Sequence, residues 1–256
     1  MHEPLIISIF SIEWYYANFY SLMGLIFLIT ASYVIINSRY IRENNYQEKF
    51  TKLLGFLILG RFFLSQMYQL IHNPVLWDVN HSLPFHLCGI SGLVSGYMLI
   101  RFNQSLYEFV LLLGAPGALW SFLTPQINIP SPSFMYYDYF VSHVLIIFSP
   151  LLLTFGLKKM PRIGSWKSVF IKTNLLLIPT IYVINHFLFY GLGYKDVNYM
   201  YLMEPPKAEN PFIFGKWPVY IVGLQAMGFI HISLIYAIFN KYNTIRSYFQ
   251  IKKRIA

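Results

Sequence analysis

The chain has 256 residues, 56% of them hydrophobic and only 11% charged, with 23 Phe and 21 Tyr. A water-soluble domain of this length needs far more charge to cover its surface, so the composition excludes one and makes lipid the main solvent. The formal net charge of +9 would suit a nucleic-acid partner, but its placement along the chain excludes that reading.

Apolar runs of about 20 residues, the length that crosses a bilayer, predict seven spans. They lie near Phe19 to Asn37, Leu53 to Ile71, Pro84 to Ile100, Ser105 to Leu123, Phe134 to Gly156, Val169 to Tyr190 and Trp217 to Asn240. Basic residues then sort by side. One face collects Arg39, Arg42, Lys49 and Lys52, then Arg101, then Lys158, Lys159, Arg162, Lys167 and Lys172, and finally Lys241, Arg246, Lys252, Lys253 and Arg254. The other face holds only Lys195, Lys207 and Lys216, and Arg61 lies inside a span. Retention of Lys and Arg in the cytoplasm predicts an all-α bundle of about seven transmembrane helices with the N-terminus outside and the C-terminus cytoplasmic. The excess charge is thus a topology signal, with attraction to anionic headgroups as a second effect.

Trp14, Tyr15, Tyr16, Phe19 and Tyr20 read as an interfacial aromatic belt at the first span. No cleavable signal peptide is expected, since the first basic residue is Arg39. Residues 1–256 read as one polytopic domain, and a single cysteine forms no intramolecular disulfide.

Polar side chains inside spans are costly and are therefore site candidates. In the second span, Arg61, Ser65, Tyr68, Gln69 and His72 share one helical face. That stripe is either a structural network that locks helices together or the lining of a headgroup cavity. In both cases Arg61 needs an anionic partner, either Asp138 or a lipid phosphate.

The third span opens with His81-Ser82-Leu83-Pro84-Phe85-His86-Leu87-Cys88-Gly89. Proline suits a first turn and Ser82 suits a cap, so the helix is expected to start near Leu83 or Pro84. Cys88 then falls near a helix N-terminus, where the dipole favours a thiolate; the plain alternative is a small apolar filler. His86 stands about 200° around the helix from Cys88, so any base must come from another span. Below Cys88, Ser91, Gly92, Ser95 and Gly96 permit close helix approach.

The fifth span carries Asp138, Tyr139, Ser142 and His143, with His143 roughly 13 Å down the axis from Phe134. By the same rise Cys88 lies roughly 6 Å into its helix, so tilt or deeper entry must bring the two level. Asn185 and His186 close the sixth span, and the longest break, Gly191 to Lys216, follows on the outer side. The last span brings Tyr220, Gln225 and, deeper, His231. Histidines gather in the outer half, yet no H-x-x-x-H or H-E-x-x-H pair accompanies them, so neither metal nor cofactor is expected. A retinal protein is excluded, because no lysine lies between Trp217 and Asn240.

Several strings together carry a family resemblance. They are Leu83-Pro84-Phe85-His86-Leu87-Cys88, Gly114-Ala115-Pro116-Gly117 with Leu123-Thr124-Pro125, Phe140-Val141-Ser142-His143, Ile184-Asn185 followed by Asn198-Tyr199-Met200-Tyr201-Leu202, and Trp217-Pro218-Val219-Tyr220. In order and spacing they resemble the YwaF-like family of bacterial integral membrane proteins, from about Leu83 to about Tyr236, with weaker matching over the first two spans. That family is similar to the animal transmembrane protein 164 acyltransferases of phospholipid metabolism and, more distantly, to androgen-induced transmembrane hydrolases of lipid esters. The resemblance implies a multi-pass protein of a bacterial plasma membrane, a nucleophilic cysteine at Cys88 and a histidine partner at His143. His186 stands where an apolar residue is expected in relatives, so it is not counted among the catalytic residues.

A Cys–His pair suits acyl transfer through a thioester. Asn185 or Asn198 could add oxyanion donors to the backbone N–H groups of the third helix, and Tyr139, one turn from His143, could orient its ring. Substrate contact is assigned to Arg61, Gln69, His86, Asp138 and Gln225, with Gln66 off the main stripe. The expected partners are membrane lipids, namely a phospholipid acyl donor and an acceptor. The alternative function is a non-enzymatic transporter component or ligand-binding membrane module, with the Arg61 stripe as its specificity element.

Overall fold

The computed structural model describes residues 5–72, 77–127, 133–207 and 213–255. Capping side chains decide where several helices begin. Ser11 accepts the Trp14 N–H at 3.1 Å and opens α1 (Ile12–Asn37), and Ser38 caps the short α2 (Arg39–Glu43). The chain then turns into α3 (Gln47–His72), and after the non-helical residues 77–86 it forms α4 (Leu87–Ile100). Asn103 accepts the N–H groups of Ser105 and Leu106 at the start of α5 (Gln104–Leu123), and Ser133 accepts that of Tyr136 at the start of α6 (Phe134–Gly156). Each such cap contributes about 1 kcal/mol by satisfying orphan first-turn donors. Helices α7 (Ser165–Gly191) and α8 (Val219–Ile255) complete the bundle.

Among the described residues, six helices are long and apolar enough to cross a membrane: α1, α3, α5, α6, α7 and α8. The seventh expected span is α4, which is apolar but only 14 residues long. Large apolar side chains such as Phe27, Leu64, Leu175, Val222 and Leu234 stay exposed around the bundle. That much outward apolar surface requires lipid.

Helix α6 is the centre of the bundle, in contact with α1, α4 and α5, while α8 packs on α5 and the first half of α7. Two helices change pitch ahead of a proline. The π turns Val110–Gly114 in α5 and Thr173–Leu177 in α7 each end two residues before Pro116 or Pro179. A proline donates no N–H and crowds the carbonyl four residues back, and widening the preceding turn relieves both faults. Small residues set the closest helix contact. A Cβ on Gly55 of α3 would lie 2.6 Å from the Gly96 carbonyl oxygen of α4, so only glycine fits there.

Both faces are closed by hydrogen bonds. On the N-terminal face, Leu5–Ile6 pairs antiparallel with Gln126–Ile127, while Trp14 Nε1 and Asn18 Nδ2 donate to the end carbonyls of α5 at Leu123 (2.9 Å) and Phe122 (3.1 Å). On the basic face, the buried Glu108 carboxylate accepts from the Arg162 backbone and guanidinium, both at 2.7 Å, and from Gln104 at 2.9 Å. Sequence reading passes over Glu108, because an acid at the mouth of a span looks interfacial.

One expectation needs correction. Helix α4 begins at Leu87 with His86 at its cap, not near Leu83 or Pro84. Ser82 does not cap it either: its Oγ accepts the Asp78 N–H at 3.1 Å, inside a turn that also holds Asn80 against the Asp78 carboxylate. Pro84 instead folds back over Gly89, where a Cβ would come within 2.9 Å of the Pro84 Cα. Residues 77–86 are therefore a folded plug above a short helix.

Candidate functional site

The plug settles the depth of Cys88. Fourteen residues of α4 cover about 21 Å at 1.5 Å each, against a hydrocarbon layer of about 30 Å. With Ile100 and the exposed Arg101 at the basic face, Cys88 sits roughly 12 Å below the N-terminal face. His143 lies roughly 13 Å down α6 from Phe134. The mismatch in depth read from sequence came from counting Leu83–His86 as helix.

The two side chains are neighbours: the Cys88 thiol and the His143 ring are close enough to interact electrostatically. The thiol also lies 3.6 Å from Ser121 Oγ of α5. His143 is buried, and its Nδ1 lies 2.6 Å from the Tyr139 carbonyl. A carbonyl oxygen only accepts, so in the neutral ring Nδ1 carries the proton and Nε2 is the free basic nitrogen. The ring packs on Tyr139, with centroids 4.4 Å apart, and edge-on to Phe122 at 6.1 Å. The Tyr139 hydroxyl donates to the Ser121 carbonyl at 3.0 Å, which ties α6 to α5 beside the thiol. Tyr139 thus holds the ring through its backbone carbonyl and its aromatic face.

The Arg61 stripe forms a second cluster next to it. Arg61 Nη1 pairs with Asp138 Oδ1 at 2.5 Å, and Ser65 Oγ donates to Asp138 Oδ2 at 2.9 Å. Asp138 is thereby the anionic partner of Arg61 and leaves the orientation of His143 to Tyr139. Among the described residues Arg61 Nε is buried without a partner, and the guanidinium is close enough to His143 to interact electrostatically. Gln69 is buried on the same helix, whereas Gln66, off the stripe, accepts from Trp77 Nε1 at 3.0 Å. His72 is the last residue of α3, and its side chain lies outside the described residues, as does His2.

The remaining expected residues serve the loop between α7 and α8. Asn185 is fully buried and uses its amide twice on Tyr199, donating to the carbonyl at 2.9 Å and accepting the N–H at 3.0 Å. Asn198 accepts from Met203 and Glu204 and donates to the Glu204 carbonyl. Both amides hold this loop in shape. His86 Nδ1 accepts the Met200 N–H at 3.3 Å, and its ring packs on Tyr199 and Tyr201 at 5.1 and 5.3 Å. Gln225 is half-buried in α8. His231 is satisfied at both nitrogens, by the Met227 carbonyl at 2.7 Å and Trp120 Nε1 at 3.1 Å. Among the described residues no group of three or more His, Cys, Asp or Glu side chains could hold a metal ion.

Sequence reasoning missed Ser121 and Tyr201 as neighbours of the thiol. Ser121 is a lone hydroxyl in an apolar helix, four residues after Gly117, and only the tertiary fold turns it toward Cys88.

Helices long enough to cross a bilayer, lipid-facing apolar surface and a polar cluster held inside the bundle define a polytopic α-helical membrane protein. Within that class the chain belongs to the TMEM164 family, which it matches over residues 9–236. The match takes in the first two spans, where the sequence strings were weakest. No curated protein and no solved structure matches the chain.

Proposed function

We propose that the chain is a membrane-embedded lipid acyltransferase or acyl hydrolase that works through a thioester on Cys88. The observation that carries this reading is the proximity of the Cys88 thiol to the His143 ring, with Nδ1 tied to the Tyr139 carbonyl. That leaves Nε2 to take the thiol proton. The thiolate attacks a lipid ester, the lysolipid leaves with the proton returned by the imidazolium, and the acyl group stays on sulfur. A second lipid hydroxyl, or water, then repeats the sequence in reverse.

The position of Cys88 supports the same reading. It is the second residue of α4, and His86 makes no side-chain cap bond. Backbone donors of the first turn are therefore free to stabilise negative charge next to the sulfur. A thiol at that depth in a span-length bundle supports a phospholipid as the donor and a lipid hydroxyl as the acceptor.

Purified protein incubated with a phospholipid labelled in its acyl chain is expected to carry that chain on Cys88 as a hydroxylamine-labile adduct. Cys88→Ala is expected to lose both the adduct and turnover. Turnover equal to wild type in Cys88→Ala would overturn the proposal. Saturable lipid binding that survives loss of both Cys88 and His143, without turnover, would favour a binding module instead.

A further inference from the structure

We propose that Tyr201, carried over the thiol by the loop between α7 and α8, donates its phenolic O–H to the oxyanion formed when Cys88 attacks a lipid ester. This rests on Cys88 being the nucleophile.

Four tyrosines surround the site, and three have committed their hydroxyls. Tyr139 donates to the Ser121 carbonyl, Tyr199 to the Val79 carbonyl and Tyr220 to the Tyr201 carbonyl. Among the described residues the Tyr201 hydroxyl donates to no protein group, yet it is close enough to Cys88 and to Tyr139 to interact electrostatically with both. Burial, together with the neighbouring Cys88, pushes the phenol up to about 12. It therefore keeps its proton at neutral pH, as a hydrogen-bond donor must.

The backbone under Tyr201 is held in place at a cost. Met200 and Tyr201 are consecutive non-glycine residues in the left-handed region, with φ of 56° and 55°. Such strain persists only where the surroundings over-determine it, and it gathers at functional sites. Here the Asn185 amide grips Tyr199, His86 takes the Met200 N–H, the Tyr220 hydroxyl holds the Tyr201 carbonyl at 2.7 Å, and Tyr201 N donates to the Asn198 carbonyl. The His86 ring, two residues from Cys88, packs directly on the Tyr201 ring. These contacts hold an uncommitted donor near Cys88 in the first turn of α4.

The step balances without a co-reactant. His143 Nε2 takes the thiol proton, the S–C bond forms, and the carbonyl π pair moves onto oxygen, where Tyr201 and the α4 N–H groups receive it. Collapse restores the C=O bond and breaks the ester C–O bond. The departing alkoxide takes the proton back from His143.

Tyr201→Phe keeps the ring and removes only the donor. In single-turnover assays with a labelled phospholipid it is expected to slow formation of acyl-Cys88 by roughly 10²–10³-fold, the usual loss for one oxyanion donor. Alkylation of Cys88 by iodoacetamide should stay within about twofold of wild type, because thiolate formation belongs to His143. Acylation within about threefold of wild type would overturn the proposal. So would a parallel fall in alkylation, which would make Tyr201 a positioning residue for the thiol. A wild-type protein that forms no acyl-Cys88 refutes the nucleophile itself and with it this role, an outcome distinct from unimpaired acylation in Tyr201→Phe.

Discussion

On the proposed thioester route, His143→Ala is expected to slow acylation of Cys88 by roughly 10²–10⁴-fold, the range for loss of a positioned general base. The ring is buried between Tyr139 and Phe122 and faces the thiol, so little else can take the proton. Truncation also opens a space the size of an imidazole beside Cys88. Added imidazole should therefore restore part of the rate in His143→Ala and none in Cys88→Ala. Single-turnover acylation in the presence of imidazole reads both effects. A His143→Ala rate within about threefold of wild type would remove His143 from the chemistry.

The second large effect concerns stability. Asp138→Ala strands the Arg61 charge inside the bundle, since Asp138 is its only ion-pair partner among the described residues. Breaking one half of a buried pair costs about 3–5 kcal/mol, because the remaining ion stays desolvated. The side chains are 19% and 9% exposed, so solvent screening softens this little. Replacing both with leucine should recover most of the loss, since a well-packed apolar pair is often as stable as the ion pair. Unfolding in detergent micelles of the two single variants and the double variant gives the coupling directly. A loss below about 1 kcal/mol in Asp138→Ala would mean that lipid headgroups or water satisfy Arg61 instead.

Much of the bundle can be read from the chain, because hydropathy and span length are local quantities. The ends of the fifth span, Phe134 and Gly156, coincide with those of α6. The need of Arg61 for an anion is equally legible, since an intramembrane cation needs one; the sequence leaves Asp138 and a lipid phosphate as candidates, and the fold pairs Arg61 with Asp138. The start of α4 was not. Leu83-Pro84 has the chemistry of a first turn, but the choice of Leu87 depends on the Tyr199 hydroxyl, which accepts the Leu83 N–H at 3.1 Å from 116 residues away. Asn185 and Asn198 show the same limit. Their amides could serve an oxyanion or a loop equally well, and only long-range packing commits them to the loop. Tyr201 lies in one of the strings that carry the resemblance, but nothing local marks its hydroxyl, because its importance comes from which neighbouring hydroxyls are already taken.

The plug at residues 77–86 also bears on the surrounding bilayer. Where α4 stops, roughly 9 Å of the usual hydrocarbon depth is left to folded non-helical chain instead of helix. Lipids beside such a short element relieve the mismatch by thinning locally. Ester linkages, which ride at the hydrocarbon boundary, would then dip toward the level of Cys88. On the proposed reading, membrane thickness acts as a regulator, and turnover should fall as vesicles are made from lipids with longer acyl chains. Equal rates across chain lengths would show instead that the protein draws its substrate inward unaided.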